Sequence, residues 1–437
     1  IFVSVVGMFS VSAQDSFETP LAIVHVTAVS EPGKAIEDAT ILIEDGRIVR
    51  VGTGIRIPDD ARVFDATGLF AYAGFIDGAT HIGTKDETPS DEILNRVKDD
   101  EYPVVEGPRT HMQQANRMGV WPHLGVDDLY IKEEKGMAPW RKAGFTAALV
   151  TPHPDVVSGS GDVLQLSDRA LRSATIKRGV TQILGFGDLD DISYRDGREY
   201  PASPMGAVAM IRQLYMDAQW YRARHAQYEK HPTALERVAF DPALDAMGVL
   251  LDREQTWLFA VDTPNEIHHA LDLSEELNQR LVILGGKEAW KVADRLAEKK
   301  IPVIVSMDFE EKPLLAPKAP EKETEYATAT WTPAFEEAFF EPLAVRKDRV
   351  RKWEAEVNNL HALMAGGVPV GITTRDLEGP DKLGEMLKKA LELELTAEEL
   401  LEALTVSPAK ILGLGAQLGT IESGKIANLT LLTAPLG

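Results

Sequence analysis

Short apolar runs recur along the middle of the chain and alternate with segments of helical spacing. The runs lie at residues 69–77, 144–152, 179–187, 256–262, 280–286, 301–307 and 367–374. Stretches such as 289–300, 381–393 and 396–406 carry apolar residues at helical intervals. Near-continuous apolar strands that alternate with helices are typical of a parallel sheet buried on both faces. The pattern predicts an α/β fold, with a (β/α)8 TIM-like barrel favoured over a doubly wound open sheet, because no glycine-rich phosphate loop follows an early strand.

Both ends of the chain are rich in β-branched residues and turn signals. Residues 21–65 and 419–432 contain short strand-like runs, and Asp45-Gly46 is typical of a hairpin turn. Two such segments, one at each end, can pair with each other. We therefore predict a small β-sandwich built from residues 20–72 and 412–437, with the barrel occupying residues 73–411.

Composition excludes several classes of protein. The chain has 437 residues, 68 acidic and 46 basic, with a formal charge of −22. Such a charge repels phosphate backbones, so we expect no nucleic-acid partner. The absence of cysteine rules out disulfides, thiolate catalysis and zinc–cysteine sites. Histidine is scarce, with ten residues in the whole chain.

The first residues resemble the end of a secretory signal. Residues 1–9 are apolar or small, and Val11-Ser12-Ala13 fits the small-x-small pattern of a cleavage site after Ala13. We interpret residues 1–13 as the remnant of a signal peptide, with an amphipathic first strand as the alternative. This interpretation predicts a periplasmic or secreted protein. This apolar run is too short to span a bilayer, and no other stretch approaches the length of a membrane helix, so we expect no membrane span in the mature chain.

Two stretches interrupt the alternation of strands and helices. Residues 86–130 are acidic and end in an aromatic-rich patch with Trp121, His123 and Tyr130, whereas residues 308–345 are rich in Pro, Lys and Glu. We expect both to be loops on the catalytic face of the barrel, with plain surface decoration as the alternative.

Several motifs, in their order along the chain, resemble the amidohydrolase superfamily. They are Gly74-Phe75-Ile76-Asp77 at the first barrel strand, Ser407-Pro408-Ala409-Lys410, and the closing run from Gly419 to Leu429. The likeness covers about residues 20–435 and is greatest to secreted, imidazolonepropionase-like members. The run 200–206, followed by a helix at 211–221, is similar to a branch found beside a second amidohydrolase.

The resemblance implies hydrolysis of C–N or C–O bonds with one or two divalent metals, such as Zn, Mn or Fe. A bound metal lowers the pKa of its water and polarises the carbonyl group. The ligands of the family stand at the carboxyl ends of barrel strands.

Most of these ligand positions hold other residues here. The family's His-x-His on the first strand reads Ala79-Thr80-His81, so His81 is the one retained ligand. Ala260 or Val261 stands where the fifth strand brings a histidine. The remaining positions hold Gly285 in place of the sixth strand's histidine, Arg375 in place of the last strand's aspartate, and Gln165 in place of a bridging lysine.

Other groups lie near the predicted strand ends. The candidate catalytic residues are Asp77, Asp262, Arg375 and Asp376. A rearranged metal site could use His81, His153 and Asp155, and a metal-free acid–base pair could join Asp262 to His81. Arg375 and Lys287 could hold a carboxylate or pair with Asp376 and Asp308. The run Ser158–Gly161 indicates close backbone packing or a loop around a ligand.

Three functions remain open at this point. The first is a degenerate amidohydrolase with no metal or a weakly bound one, which binds a ligand or stabilises a partner. The second is an active hydrolase of amides, cyclic amides or dipeptides with an unusual site, and the third is a purely structural interaction module. The expected partner is an active homologue or a downstream domain, and a homodimer is a further expectation.

Overall fold

The computed structural model describes residues 19–84, 119–131, 137–186, 203–315 and 342–436. The predicted signal remnant at 1–13 lies outside the described residues. Residues 86–118 of the first predicted loop and residues 316–341 of the second predicted loop also lie outside the described residues, as do residues 132–136.

Fourteen strands are described, and they form two sheets. The first group is β1 (Leu21–Glu31), β2 (Lys34–Glu44), β3 (Arg47–Gly52), β4 (Arg62–Asp65), β5 (Phe70–Ala73) and β14 (Leu429–Leu432). The second group is β6 (Phe75–Thr80), β7 (Phe145–Val150), β8 (Val157–Gln165), β9 (Thr175–Gly185), β10 (Thr256–Val261), β11 (Leu281–Gly285), β12 (Val303–Ser306) and β13 (Val370–Thr373).

Helices surround the second sheet. They are α1 (Val126–Leu129), α2 (Ala138–Lys142), α3 (Leu171–Ala174), α4 (Pro204–Lys230), α5 (Pro242–Leu251), α6 (Pro264–Glu276), α7 (Ala293–Lys299), α8 (Leu343–Val357), α9 (Asn359–Ala365), α10 (Pro380–Leu391), α11 (Ala397–Leu404) and α12 (Val406–Ile411). A 3₁₀ turn at Ala289–Val292 precedes α7. None of the described helices combines the length and the apolar character needed to cross a bilayer.

The small sheet is built from both chain ends, as predicted. Its order is β14-β5-β1-β2-β3, and β4 pairs with the start of β1. The β2–β3 hairpin turns at Asp45 and Gly46, which have φ values of +48° and +70°. Two consecutive positive φ values are the requirement of a type I′ turn, which explains the Asp-Gly pair. The predicted β-sandwich of both termini is confirmed.

The large sheet has the order β6-β7-β8-β9-β10-β11-β12-β13. Its neighbours run parallel except at β8, which is antiparallel to both β7 and β9. Residues 151–156 join β7 to β8, a connection too short for a helical crossover, so the chain must turn straight back. Of the eight barrel strands that the structure describes, seven therefore run in one direction and one is reversed.

Polar contacts hold the last strand of the sheet against the first. The backbone N–H of Thr374 donates to Oδ1 of Asp77 over 3.1 Å, and its hydroxyl donates to the same carboxyl. The hydroxyl of Thr373 donates to the carbonyl of Ala79. These contacts bring the two sheet edges together, which confirms the predicted barrel and excludes the open doubly wound sheet.

The strand predicted at 69–77 is two strands. Its first half, β5, belongs to the small sheet, and its second half, β6, opens the barrel. The break falls at Gly74, where a Cβ atom would lie 2.1 Å from Oγ1 of Thr146. A side chain cannot be accommodated at this crossing between the two sheets, so the prediction of one strand is wrong at this position.

The contact between β6 and β13, which we call the barrel seam, can be tested through the titration of Asp77. Asp77 is fully buried, and burial raises its pKa to about 7 despite the hydrogen bonds from Thr374 and Ala79. A folded pKa above the unfolded value means that the folded state holds an extra proton between about pH 4 and pH 7. The stability contributed by the neutral carboxyl is complete below about pH 4 and is lost as the pH rises through 7, by about 4 kcal/mol at most.

Asp77→Asn removes this titration and keeps an acceptor for the N–H of Thr374. We expect the unfolding free energy of the variant, relative to wild type, to rise between pH 4.5 and pH 7 and then level off. Denaturant unfolding across this range measures the difference. The exposed Asp60→Asn serves as the control for the change of residue type. An Asp77→Asn difference that does not change between pH 4.5 and pH 7 contradicts the assignment.

Candidate functional site

The carboxyl end of β6 carries the family's first ligand position. Ala79 is fully buried, and its carbonyl accepts the hydroxyl of Thr373 from the neighbouring strand. The side chain at this position is a methyl group within the barrel, which has no lone pair to offer a metal.

His81, two residues on, is held in one orientation. Its Nδ1 donates to the carbonyl oxygen of Thr151 over 2.9 Å, so the lone pair of the neutral ring is on Nε2. The imidazole stacks on His153 with ring centroids 3.7 Å apart and 22° between the planes. Burial, His153 and the Arg375 guanidinium lower the pKa of His81 to about 3. The ring is therefore neutral at physiological pH.

The rearranged metal site of His81, His153 and Asp155 is not supported by this geometry. Nearly parallel stacked imidazoles do not converge their in-plane nitrogens on one ion. The carboxyl of Asp155 accepts the N–H of Val156 over 2.8 Å. In the part of the chain that the structure describes, no three His, Asp or Glu side chains group together in a way that could hold a metal.

Gly285 at the end of β11 occupies the sixth-strand ligand position in an unusual conformation. Its φ is +94°, a backbone conformation that L side chains rarely adopt. A Cβ atom at Gly285 would lie 2.4 Å from Oδ1 of Asp262, so the carboxyl group of Asp262 fills the space of the missing side chain. Asp262 accepts the N–H of Lys287 over 3.3 Å, and burial raises its pKa.

The fifth-strand position offers no donor. Ala260 and Val261 are both apolar. Ala260 pairs with both neighbouring strands, β9 and β11, and Val261 pairs with β11. The histidines that follow are on the outer helix α6. His268 contacts Arg295 over 2.8 Å, and His269 meets the ring of Phe186 edge-on at 6.4 Å.

A guanidinium stands at the last ligand position. Arg375 makes a two-pronged contact with Asp376, Nε to Oδ1 at 2.7 Å and Nη2 to Oδ2 at 3.1 Å, and its side chain is 11% exposed. Burial raises the pKa of Asp376, but Arg375, Ser306 and Lys287 outweigh burial and hold it below its usual value. Nη1 of Arg375 is buried without a hydrogen-bond partner among the described residues.

The carboxyl ends of the parallel barrel strands form the barrel mouth, where Arg375 and Lys287 lie. Lys287, the second cation of the mouth, is also paired. Nζ of Lys287 lies 3.2 Å from Oδ2 of Asp308. The prediction that Arg375 and Lys287 form ion pairs with Asp376 and Asp308 is confirmed. No hydrogen bond joins His81 to Asp262 among the described residues; Nδ1 of His81 is bonded to Thr151, and Oδ1 of Asp262 accepts the N–H of Lys287. The predicted acid–base pair is not formed.

Gln165 lies at the opposite end of the barrel. It closes β8, and the reversed direction of this strand carries its carboxyl end away from the mouth. There Nε2 of Gln165 donates to Oδ1 of Asn428 over 3.2 Å, in the segment that leads into β14. The loose placement of Gln165 at a metal-bridging position is therefore wrong.

The small residues Ser158–Gly161 lie within strand β8. A Cβ at Gly159, where φ is +124°, would lie 2.6 Å from the carbonyl oxygen of Leu124. The N–H of Ser160 donates to that same carbonyl over 2.8 Å. The interpretation as close backbone packing is confirmed, because these residues let the segment 119–131 lie directly on the end of the barrel.

Sequence reasoning missed the residues that support the site. Thr374 and Thr151 orient Asp77 and His81, and the indole of Trp140 donates to Oγ1 of Thr374 over 3.2 Å. Thr151 and Thr374 each follow a buried strand, where a hydroxyl group needs a hydrogen-bond partner. This position in the sequence could have indicated that they hold polar side chains of the site.

Among the described residues, those at the family's ligand positions do not fit its metal. Three ligand positions hold groups that cannot bind a metal: the methyl group of Ala79, Gly285 beside the Asp262 carboxyl, and the guanidinium of Arg375, which is paired with Asp376. A dication beside Arg375 would be repelled by a fixed positive charge. His81 can offer one nitrogen, whereas catalytic zinc needs about three protein ligands.

A model of the amidohydrolase family matches residues 70–436, and the chain belongs to this family. The fold is that of hydrolases that act on C–N bonds. An amidohydrolase from Thermotoga maritima has a TM-score of 0.71 over 95% of this chain and 94% of that one, at 23% identity. A Xaa-Pro dipeptidase with bound methionine in its active site has a TM-score of 0.51 over 95% and 94%, at 13% identity. At such identities the likeness shows the fold alone.

Curated relatives are similar over short stretches. An imidazolonepropionase from Thermoplasma acidophilum is 42% identical over 73 residues, 16% of this chain and 17% of that protein. A dihydroorotase from Mycobacterium tuberculosis is 44% identical over 46 residues, 10% of this chain and 11% of that protein. The matches thus span less than a fifth of these relatives.

The contact between Gly285 and Asp262 can be tested by substitution. Gly285→Ala imposes a positive φ on alanine, which costs about 1–2 kcal/mol, and also displaces the Asp262 carboxyl. We expect a larger loss of unfolding free energy than for Gly367→Ala, where φ is +81° and no atom lies within 4 Å of the added Cβ. Denaturant unfolding measures both.

Asp262→Ala should remove part of the additional cost when it is combined with Gly285→Ala. A double-mutant cycle reports this coupling. Equal losses for Gly285→Ala and Gly367→Ala, with no coupling to Asp262→Ala, would show that the carboxyl does not fill the site.

Proposed function

We propose that this member of the amidohydrolase family has lost metal-dependent hydrolysis, wholly or largely, and keeps its barrel as a ligand-binding or partner-stabilising module. The observation that carries the proposal is that the residues at the family's ligand positions are packed or hydrogen-bonded into their surroundings. Gly285 requires its glycine conformation, and Arg375 is bound into the mouth by Asp376. Restoring a ligand at either position would need rearrangement of its neighbours.

The internal charge balance supports the proposal. In a metal site, carboxylates are neutralised by the dication that they bind. Here Arg375 and Lys287 supply positive charge next to Asp376 and Asp308, within hydrogen-bonding distance. A dication would add charge to a mouth that is already balanced, and it would gain few donors in return.

The proposed role extends to a partner and to a location. An active homologue, as a separate chain or a downstream domain, or a second copy of this chain, would be the protein that such a module stabilises. A periplasmic or secreted location follows from the interpretation of residues 1–13 and stays a prediction.

Metal content separates the proposed module from an active hydrolase. We expect protein produced with added zinc, manganese and iron, and then desalted, to retain far less than one metal ion per chain by elemental analysis. The same metals should leave its thermal midpoint unchanged, because a ligand that does not bind the folded state cannot stabilise it. Amides, cyclic ureides and dipeptides should show no turnover above the buffer rate.

His81→Ala is the matched variant for this experiment. It removes a hydrogen bond to Thr151, which costs about 1 kcal/mol of stability, and it should change neither metal content nor turnover. Tight retention of one zinc, manganese or iron ion that is lost in His81→Ala, together with turnover that disappears in the same variant, overturns the proposal in favour of an active hydrolase.

A further inference from the structure

Helix α4 has apolar side chains on two opposite faces. Eight of its residues, from Ala207 to Tyr221, are buried against the rest of the chain. The exposed residues on the opposite side, which we call the outer stripe, are also apolar: Met205, Ala209, Met216, Trp220 and Ala223. At 3.6 residues per turn, these positions lie within about 60° of one another around the helix axis. A helix that is apolar on both sides needs a second surface to pack against.

Met216 and Trp220 form the centre of the outer stripe. They are four residues apart, so their side chains are neighbours on the helix surface. Their exposed fractions are 63% and 59%. Large apolar side chains that are exposed side by side mark surfaces where another protein binds, and tryptophan contributes most to such contacts.

Two arginines of α4 are neutralised by other elements of the same chain. Arg212 lies 2.6 Å from Glu276, the last residue of α6. Arg222 lies 2.6 Å from Asp252, which follows α5. These two charges are therefore accounted for within one copy of the protein.

Two other charges of α4 form no ion pair among the described residues. Asp217 and Arg224 are seven residues, or about two turns, apart, so both flank the outer stripe on the same side. Oδ1 of Asp217 accepts Nε2 of Gln213 over 2.7 Å, and Nη1 of Arg224 donates to Oε1 of Gln227 over 3.4 Å. Both contacts are to uncharged amides. They leave the second oxygen of the carboxylate and the other nitrogens of the guanidinium able to bond elsewhere.

We propose that two copies of this chain pair through the outer stripe, with their α4 helices antiparallel across a two-fold axis. In this arrangement Asp217 of each copy meets Arg224 of the other, so one contact is formed twice. Trp220 then lies near Ala223 of the second copy, so that a large side chain packs against a small one. The interface does not involve the barrel mouth, so the inference is independent of the loss of hydrolysis.

A parallel pair of helices fits these charges less well. Parallel packing would place Asp217 beside Arg212 of the second copy, five residues earlier, but Glu276 already neutralises that arginine. Arg224 would then face Gln219 and would gain no counter-charge. The antiparallel arrangement is the one that pairs both of the free charges.

The area of the outer face indicates a reversible dimer. With 27 residues, α4 is about 40 Å long and about 10 Å across, so its outer face offers at least about 400 Å². Two copies would bury about 800 Å² or more, at the lower end of the range for specific interfaces. We therefore expect micromolar rather than nanomolar affinity.

Sedimentation equilibrium of the full chain tests the proposal. We expect a monomer–dimer equilibrium between about 1 and about 100 µM. Trp220→Glu places a charge at the centre of the outer stripe and should weaken the dimer at least about tenfold. Val345→Glu is the matched control, because it makes the same change of charge at an exposed apolar position of another helix, α8. The control should leave the dimer unchanged.

Charge exchange tests the antiparallel arrangement. Asp217→Arg and Arg224→Asp each replace both ion pairs by contacts of like charge, so each should weaken the dimer about tenfold. The double variant restores opposite charges and should regain the wild-type dissociation constant to within about threefold. An equal mixture of the two single variants should also associate, because each contact between them joins opposite charges.

The substituted side chains are at least partly exposed, so the variants should fold, and thermal melting checks this. A wild-type chain that stays monomeric overturns the proposal and leaves the outer stripe to a different protein. A dimer that Trp220→Glu does not weaken, or that Val345→Glu weakens as much, also overturns it. If neither the double variant nor the mixture recovers association, the antiparallel pairing is wrong.

Discussion

The seam between the first and last barrel strands depends on one buried carboxyl group. Asp77 on β6 accepts two hydrogen bonds from Thr374, which follows β13, and the cylinder is held together there by side chains. The same seam places His81 beside Arg375, since each follows its strand by only one or two residues. The closure of the barrel and the composition of its mouth are therefore set by the same few residues.

At the mouth that results, basic side chains balance the carboxylates. Carboxylates at the ends of barrel strands need a counter-charge, and in a metal enzyme the dication supplies it. In this chain Arg375 is the counter-charge of Asp376, and Lys287 that of Asp308. Such pairs fix side chains in place without offering an open coordination position. Under the proposed function, no set of described side chains is left there to hold a metal and its polarised water.

The apolar runs predict the barrel well because burial on both faces of a strand leaves a strong sequence pattern. Strand β8 escaped the pattern, because Gly159 and its small neighbours serve a close approach of another segment. The break at Gly74 and the conformation of Gly285 depend on atoms distant in sequence, Thr146 in the first case. The residue types at the family's ligand positions could be read directly from the sequence. The groups that surround those positions, such as the Asp262 carboxyl beside Gly285, required coordinates.

Anomalous diffraction from crystals soaked in zinc or manganese tests the central claim most directly, because it locates an ion and its ligands together. The account predicts no anomalous peak at the barrel mouth, with His81 still stacked on His153 and Arg375 still paired with Asp376. A peak at the mouth with three or more protein side chains at bonding distance, His81 among them, would contradict it.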